Sequence, residues 1–565
     1  MIRFSPLAKG MLLGLAFTLV LNAFSLRTWF EHRLTVVDLG AEIGSADEVY
    51  YFALIRDVRD GHLNLGNASL FEYRNAPAVA GFALLPQGLL ARFTTLELST
   101  VILIGDLLYP LLICCLAFFI LRRFLHSDQL SALLALGFMA WWSTGWLRSM
   151  SPQVTMTFFL LSLFSFVADP EGKKIYQRAV CLFLLLLIQP IYAAYILAIE
   201  GIDTLLLWKK YRSFKKVFLQ RWPLVAYVLA ALLLQAGLQQ GADPELLAET
   251  YRRRGLILSH LPTAPLTQLF IVALLAFFLW MIRRRQRDDT ALHTLPVLLI
   301  AGLVVLNQSL IHGHDVVFGL YYRLPLSFVL WLSVAWAVHQ IVPRRLAIFL
   351  SILVLAFTGF HMFRLMTMIT VPAAFVYADE FRNSDLRIVM EELSNNPTPE
   401  IILAPIEISN LIPVLTPHYA LFTQYAHFEY ASDRTLAERY LLLRSFFPLP
   451  SFQTVEGDPL VFGIYAGNVY ARTKTACRLH LTKTGCEKKL SDFIYDQSVR
   501  AFVDAGNIDS LALLRRFGIT TVVTDAPLPI LLQPFCTLPT PAGHYKIFHC
   551  TFKTEAISGN GFSAS

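Results

Sequence analysis

Long apolar runs separated by short polar clusters fill the first two-thirds of this chain. "MLLGLAFTLVLNAFSL" from Met11, "VILIGDLLYPLLICCLAFFIL" from Val101 and "LFIVALLAFFLWMI" from Leu269 each approach the length of a membrane-spanning helix, for which roughly 20 residues suffice. The pattern predicts eleven spans, near residues 10–27, 99–121, 130–147, 153–168, 177–190, 192–208, 222–239, 266–282, 292–310, 324–342 and 346–365. The first run reads as an uncleaved helix rather than a signal peptide, because no small-x-small cleavage site follows it. Between two of the spans, Gln189-Pro190 marks either a break or a kink in one longer helix.

Basic residues fall in the connections: Arg122-Arg123, Lys173-Lys174, "KKYRSFKK" from Lys209, "RRRQR" from Arg283 and Arg344-Arg345. With Arg3 and Lys9 placing the N-terminus inside, alternation puts every one of these clusters on the cytoplasmic side. The composition agrees. Of 565 residues, 56% are hydrophobic and only 15% charged, where soluble domains carry about 25% charged residues. The net charge of +7 therefore does not point to nucleic acid, whose binders gather basic residues on one soluble face.

Three long segments fall outside under this scheme: Arg27 to Leu98, Gln240 to Pro265, and the tail beyond Arg364. The chain thus divides into a polytopic α-helical membrane domain, 1–365, with a long first outer loop at 27–98, and an extracytoplasmic domain, 366–565. In the tail the apolar runs shorten to strand length, as in "EIILAP" at 400–405 and "GITTVVTDAP" at 518–527, with helix-like stretches such as "DRTLAERYLLLRSFF" between them. Short buried strands alternating with helices predict an α/β or α+β domain. The tail's four cysteines, Cys477, Cys486, Cys536 and Cys550, have no C-x-x-C spacing. An even set on an outer face fits disulfides, and pairing Cys477–Cys486 and Cys536–Cys550 closes the shortest loops.

The candidate chemistry lies in "SADEVYYF", just after the first span. Ser45-Ala46-Asp47-Glu48 reads as a capping box at a helix start. Tyr51, Ile55 and Val58 would then line one face of an amphipathic helix along the membrane surface. Carboxylates at such a start also sit where a lipid headgroup can meet a water-soluble acceptor, and there they can serve as bases. "ADEVYYFALIRDVRDG" resembles the first outer loop of the GT-C superfamily of membrane glycosyltransferases, whose protein O-mannosyltransferases and lipid A aminoarabinose transferases carry an acidic pair in that place. The order of parts is similar too: one span, a long outer loop, many spans, then an outer domain.

The resemblance implies a bacterial inner-membrane enzyme that moves a sugar from a polyprenyl-phosphate carrier to a glycan, lipid or protein acceptor, with membrane lipids around it and no nucleic acid. Asp47 is the favoured base; Glu48, which has the competing capping role, and Asp38 in "TVVDLG" are the alternatives. The departing lipid phosphate needs cations or imidazoles. Candidates are Arg74, Arg148 beside a tryptophan cluster, and His312, His314 and Arg323 in "NQSLIHGHDVVFGLYYRLP". Each has a plainer reading as a loop charge or a snorkelling side chain. His312, His314 and Asp315 leave a divalent metal open, although H-x-H-D lacks a further ligand. No other cofactor is expected, and the phosphate-binding glycine motifs of nucleotide enzymes are absent from the sequence. "ETYRRRGLILSH" from Glu249 reads as a basic patch held against anionic headgroups. Two rival readings remain. One is a transporter or flippase of envelope glycolipids, for which Asp106, Glu200 and Asp203 in or near spans would speak. The other is a non-catalytic envelope scaffold.

Overall fold

The computed structural model describes residues 5–31, 48–63, 67–74, 82–94, 96–143, 152–169, 172–254, 256–258, 264–285, 290–316, 320–365, 384–447 and 508–552, with isolated stretches between 470 and 506. The membrane part is helical: α1 (Pro6–Leu21), α2 (Ala23–Phe30), α3 (Glu48–Asp60), α4 (Leu85–Phe93), α5 (Leu98–Leu125), α6 (Asp128–Ser143), α7 (Gln153–Ala168), α8 (Ile175–Ile188), α9 (Pro190–Tyr211), α10 (Phe214–Leu238), α11 (Pro244–Arg253), α12 (Pro265–Arg285), α13 (Thr290–Leu306), α14 (Gln308–His312), α15 (Leu320–Ile341) and α16 (Arg344–Leu365). A helix lies at each predicted span position. Six of them, α5, α9, α10, α12, α15 and α16, are long and apolar enough to cross a bilayer. Leu233, Leu266, Leu269 and Phe357 are each more than two-thirds exposed, as side chains facing lipid rather than water should be. Inside, Phe138, Trp142, Phe159, Tyr195, Phe278 and Trp336 belong to one continuous core.

At Gln189 the chain breaks. Its backbone is extended (φ −154°, ψ 92°), and α9 begins at Pro190, because a residue preceding proline is driven out of the helical region.

Charges sort the two ends of the bundle. Asp128 binds both Lys9 (2.5 Å) and Arg122 (2.6 Å), and Arg344 reaches Ser127. The N-terminal helix start, the turn after α5 and the start of α16 therefore meet at one end. The other end of α5, a helix about 42 Å long at 1.5 Å per residue, meets the first loop and the tail. Glu200 and Asp203, the acids that would favour transport, lie in a buried quartet with Arg178 and Arg221: Arg178 Nε donates to Glu200 at 2.8 Å, and Arg221 to Glu200 at 3.1 Å. Their charges are balanced by neighbouring helices, which is how ionic groups persist in apolar surroundings.

The tail adds α17 (Asp385–Ser394), β3 (Ile401–Leu403), α18 (Ile406–Leu415), β4 (Tyr419–Ala420), α19 (Asp433–Phe446), α20 (Ser510–Arg516), β5 (Ile519–Thr524), β6 (Thr540–Ala542) and β7 (Tyr545–His549). The short β1 (Leu256–Leu258) and β2 (His314–Val316) pair separately, earlier in the chain. The tail strands form one mixed sheet in the order β4-β3-β5-β7-β6, with β3 parallel to β4 and β5 and β7 antiparallel to β5 and β6. The two stretches singled out as strands are thus adjacent, with Leu403 opposite Val522. Side chains alternate across the sheet. Leu403, Val522 and Phe548 pack with α19, while Ile402, Val523 and Ile547 pack with α17 and α18. Disulfides join Cys477 to Cys486 and Cys536 to Cys550, the expected pairing.

Candidate functional site

The helix that follows the acidic pair is the keystone between membrane part and tail. An amphipathic helix on the membrane surface was the expectation for α3; it is instead buried nearly all round. Phe52, Ala53, Leu54, Ile55 and Val58 are at most 1% exposed, packed with Leu98, Ile102 and Leu103 of α5 on one side and with Val414 and Tyr425 of the tail on another. At Gly88 of α4 a Cβ would stand 2.5 Å from Val58, so only glycine permits this approach. Arg56 extends across the junction and donates to the Pro413 carbonyl at 3.1 Å. Tail and first loop are also joined by Asn67, which exchanges two hydrogen bonds with the Tyr430 backbone (2.9 and 2.7 Å), and by Arg439, which bonds Glu72.

Glu48 begins α3; Asp47 and Asp38 lie outside the described residues, as do Ser45 of the capping box and Arg148. What surrounds this end of the helix is well defined. The Tyr50 hydroxyl accepts from Arg254 at 3.1 Å, and its ring packs against Phe428 at 5.2 Å. Arg254 also donates to the Phe428 carbonyl through Nε at 2.9 Å. Next to them Glu429 is fully buried, with the Ser69 hydroxyl and backbone N–H as its hydrogen-bonding neighbours and no cation bonded to it among the described residues. Burial pushes its carboxyl up to about 7, against the pull of Ser69 and of the Arg254 guanidinium. A carboxyl titrating near neutrality beside a cation suits proton transfer.

The basic stretch "ETYRRRG" is not held against headgroups. Its arginines are consumed by the protein: Arg252 and Arg253 bond Asp433, and Arg253 donates further to the Glu429 and Ala431 carbonyls at 2.9 and 2.6 Å. The three adjacent arginines meet one tail carboxylate, Asp433, and the carbonyls of Phe428, Glu429 and Ala431, acceptors that the sequence alone had no way to reveal. Arg254, Glu429 and Tyr50 are thus the residues that the sequence reading missed. A triple arginine in a loop on the tail's side was the one available signal.

Further along α3, about 14 Å from Glu48 at 1.5 Å per residue, Asp57 opens different chemistry, although its charge still reaches Glu429. Asp57 Oδ1 bonds His62 Nδ1 at 2.8 Å, across the turn at Gly61. Burial raises the Asp57 carboxyl and its bond to His62 lowers it, while the same bond is the main cause holding the His62 imidazole above its ordinary value. Arg74, one of the expected phosphate ligands, is here: it opposes the charge of His62, and it stacks on Phe71 at 3.8 Å. The helix length therefore separates Arg74 from the acidic pair.

His312 closes α14, Gly313 takes a left-handed turn (φ 74°), and His314 enters β2. There His314 pairs with Leu258, and Val316 with Leu256, so this loop lies alongside the strand that starts two residues after Arg254. Arg323 sits exposed in the first turn of α15. Among the described residues no group of three or more His, Cys, Asp or Glu is arranged to hold a metal; the side chains of His312, His314 and Asp315 lie outside them. Compared with known proteins, the chain matches no family model and no curated protein.

Proposed function

We propose that this chain is a GT-C-like membrane glycosyltransferase that uses a polyprenyl-phosphate sugar. The observation that carries the reading is the convergence at the start of α3. The helix opened by Asp47-Glu48 is clamped between the first-loop end of α5 and the tail, with Arg254 on the Tyr50 hydroxyl. In this reading the shorter helices α1, α6, α7, α8 and α13 complete eleven spans. The tail and first loop share the outer face of a bacterial inner membrane, where the two disulfides would persist.

The chemistry follows from the residue types. Asp47 accepts the proton of an acceptor hydroxyl or amine as that group attacks the anomeric carbon. The anomeric C–O bond breaks, and its electron pair leaves with the lipid phosphate. Arg254 is the cation proposed to receive that charge, with Arg323, His312 and His314 as further candidates. Glu48 and Asp38 remain the alternative bases. The quartet engages Glu200 and Asp203, two of the three acids on which a transport reading rests, while Asp106 stays buried within α5.

The test is turnover by full-length protein reconstituted with polyprenyl-phosphate sugars, read as released polyprenyl phosphate. Asp47→Asn should lower turnover by roughly 10²–10⁴-fold, as loss of a general base does, with donor binding retained. Full activity in both Asp47→Asn and Glu48→Gln would reduce the acidic pair to a helix cap and end this reading.

A further inference from the structure

The far end of α3 is a second assembly of charge, on groups that sugar transfer does not use. Buried Asp57 fixes the ring of His62 through Nδ1 (2.8 Å), which leaves Nε2 on the open side of a half-exposed imidazole. From α4 the Arg92 guanidinium lies against the same turn: a Cβ at Gly61 would stand 3.1 Å from Arg92 Nη1. Arg92 is exposed and, among the described residues, has no ion-pair partner. Arg74 flanks the ring from the turn after Phe71.

The charges facing His62 sum to an excess. Asp57, Asp60 and the exposed Glu97 beside Leu96 stand against Arg56, Arg59, Arg74 and Arg92, which leaves one positive charge, and two once His62 is protonated. Glu72 is turned away onto Arg439, and Tyr419 from the tail is neutral, its hydroxyl pushed up to about 12, chiefly by burial. The excess sits beside apolar side chains that water does not favour. Leu63 is 47% exposed, Phe93 79% and Leu96 38%, and Leu98 then opens the membrane-length helix α5. Cations next to exposed apolar groups at the mouth of a span are what a bilayer interface selects.

We infer that His62, Arg92 and Arg74 form a binding site for the phosphodiester headgroup of an anionic bilayer lipid, whose acyl chains lie against Leu63, Phe93 and Leu96. The site is set back along α3, with Asp57 about 14 Å from Glu48 at 1.5 Å per residue, and the bilayer lipid proposed for it is a different molecule from the sugar donor. Asp57 is a positioning residue that holds the imidazole so that Nε2 donates to the headgroup when protonated. A free phosphate would satisfy the cations but leave the apolar groups exposed, so a lipid is the better match. The inference rests on the membrane placement of α5 and holds whether or not the chain transfers a sugar.

The test uses full-length protein in non-ionic detergent micelles, titrated with fluorescent phosphatidylglycerol and, for comparison, phosphatidylcholine of the same chains. Phosphatidylglycerol keeps a constant charge, so any pH dependence belongs to the protein. It should bind in preference to phosphatidylcholine, and the preference should weaken as pH rises through the elevated His62 value. Arg92→Gln, an exposed change that leaves folding alone, should cost about fivefold in phosphatidylglycerol affinity. His62→Gln should abolish the pH dependence in protein that remains folded by circular dichroism, with the preference for phosphatidylglycerol carried on by Arg92. Equal binding of the two lipids, or wild-type behaviour in both variants, would overturn the site. Displacement of the labelled lipid by inorganic phosphate at matched concentration would overturn the choice of a lipid.

Discussion

Arg178 and Arg254 both anchor carboxylate clusters in this protein, one within the membrane helices and one where the tail docks. In the first, two arginines face two acids from α8, α9 and α10, every charge is answered, and the chain separation is short. In the second, Arg252 and Arg253 are satisfied by Asp433, yet Glu429 is buried with Ser69 as its hydrogen-bonding neighbour and, among the described residues, no ion pair. A closed, balanced cluster has nothing left to offer a substrate. An unbalanced one at a junction retains a group that can take or give a proton. Both clusters are largely buried; they differ in that the quartet pairs each acid with an arginine, whereas among the described residues no cation bonds Glu429.

Breaking the closed cluster should have the largest effect on stability. Arg178→Ala leaves Glu200 and Asp203 facing a single arginine in an apolar setting, and should cost about 3–5 kcal/mol in thermal unfolding of the detergent-solubilised protein. Replacing Arg178 and Glu200 together by methionine should recover most of that loss. A loss below about 1 kcal/mol in the single variant would show that the quartet is not closed.

The open cluster should behave in the opposite sense. Folding raises the Glu429 carboxyl from its ordinary value near 4.5 to about 7, so between those values the folded state holds a proton that the unfolded chain has released. Stability should therefore fall as pH rises through this window and level off above about 7. Glu429→Gln, which cannot ionise, should match the parent near pH 4.5 and exceed it at pH 8 by roughly 1–3 kcal/mol. A parent melting temperature that is flat from pH 5 to 8, with a destabilised Gln variant, would mean that Glu429 is charged and paired, and would erase the contrast.

The smallest effect calibrates the others. Arg387 and Glu391 form an i,i+4 pair at 3.4 Å on α17, with both side chains more than half exposed. Arg387→Ala should change stability by no more than about 0.5 kcal/mol. A larger change there would show that pairing counts apart from burial, against the argument drawn from the other two clusters.

Much of the fold was legible in the chain itself. Apolar runs and basic connections placed a helix at every expected position, because in a bilayer each helix must satisfy its own backbone and declare itself locally. The strands at 401–403 and 519–524 declared themselves by composition, and the cysteines by loop length. The break before Pro190 follows from the sterics of the residue preceding proline. Local rules were enough for all of these.

The site was legible only in part. Asp47 and Glu48 stood out because an acidic pair just after a span is rare, whereas Glu429 looked like any acid in a soluble tail. Its burial exists only because α3 and the segment carrying Arg254 close over it. Arg74 illustrates the same limit: it follows the acidic pair in the same loop, yet it stacks on Phe71 and acts on His62 beyond the other end of α3. Arg252 and Arg253 were expected on lipid and are spent on Asp433, whose position nearly 200 residues later no local pattern announces. Sequence determined which segments are helix, strand or span, since those depend on neighbours a few residues apart. Which charges meet, which stay unanswered and which face lipid were decided by tertiary structure, because electrostatics in a low-dielectric junction acts through space over a few ångströms.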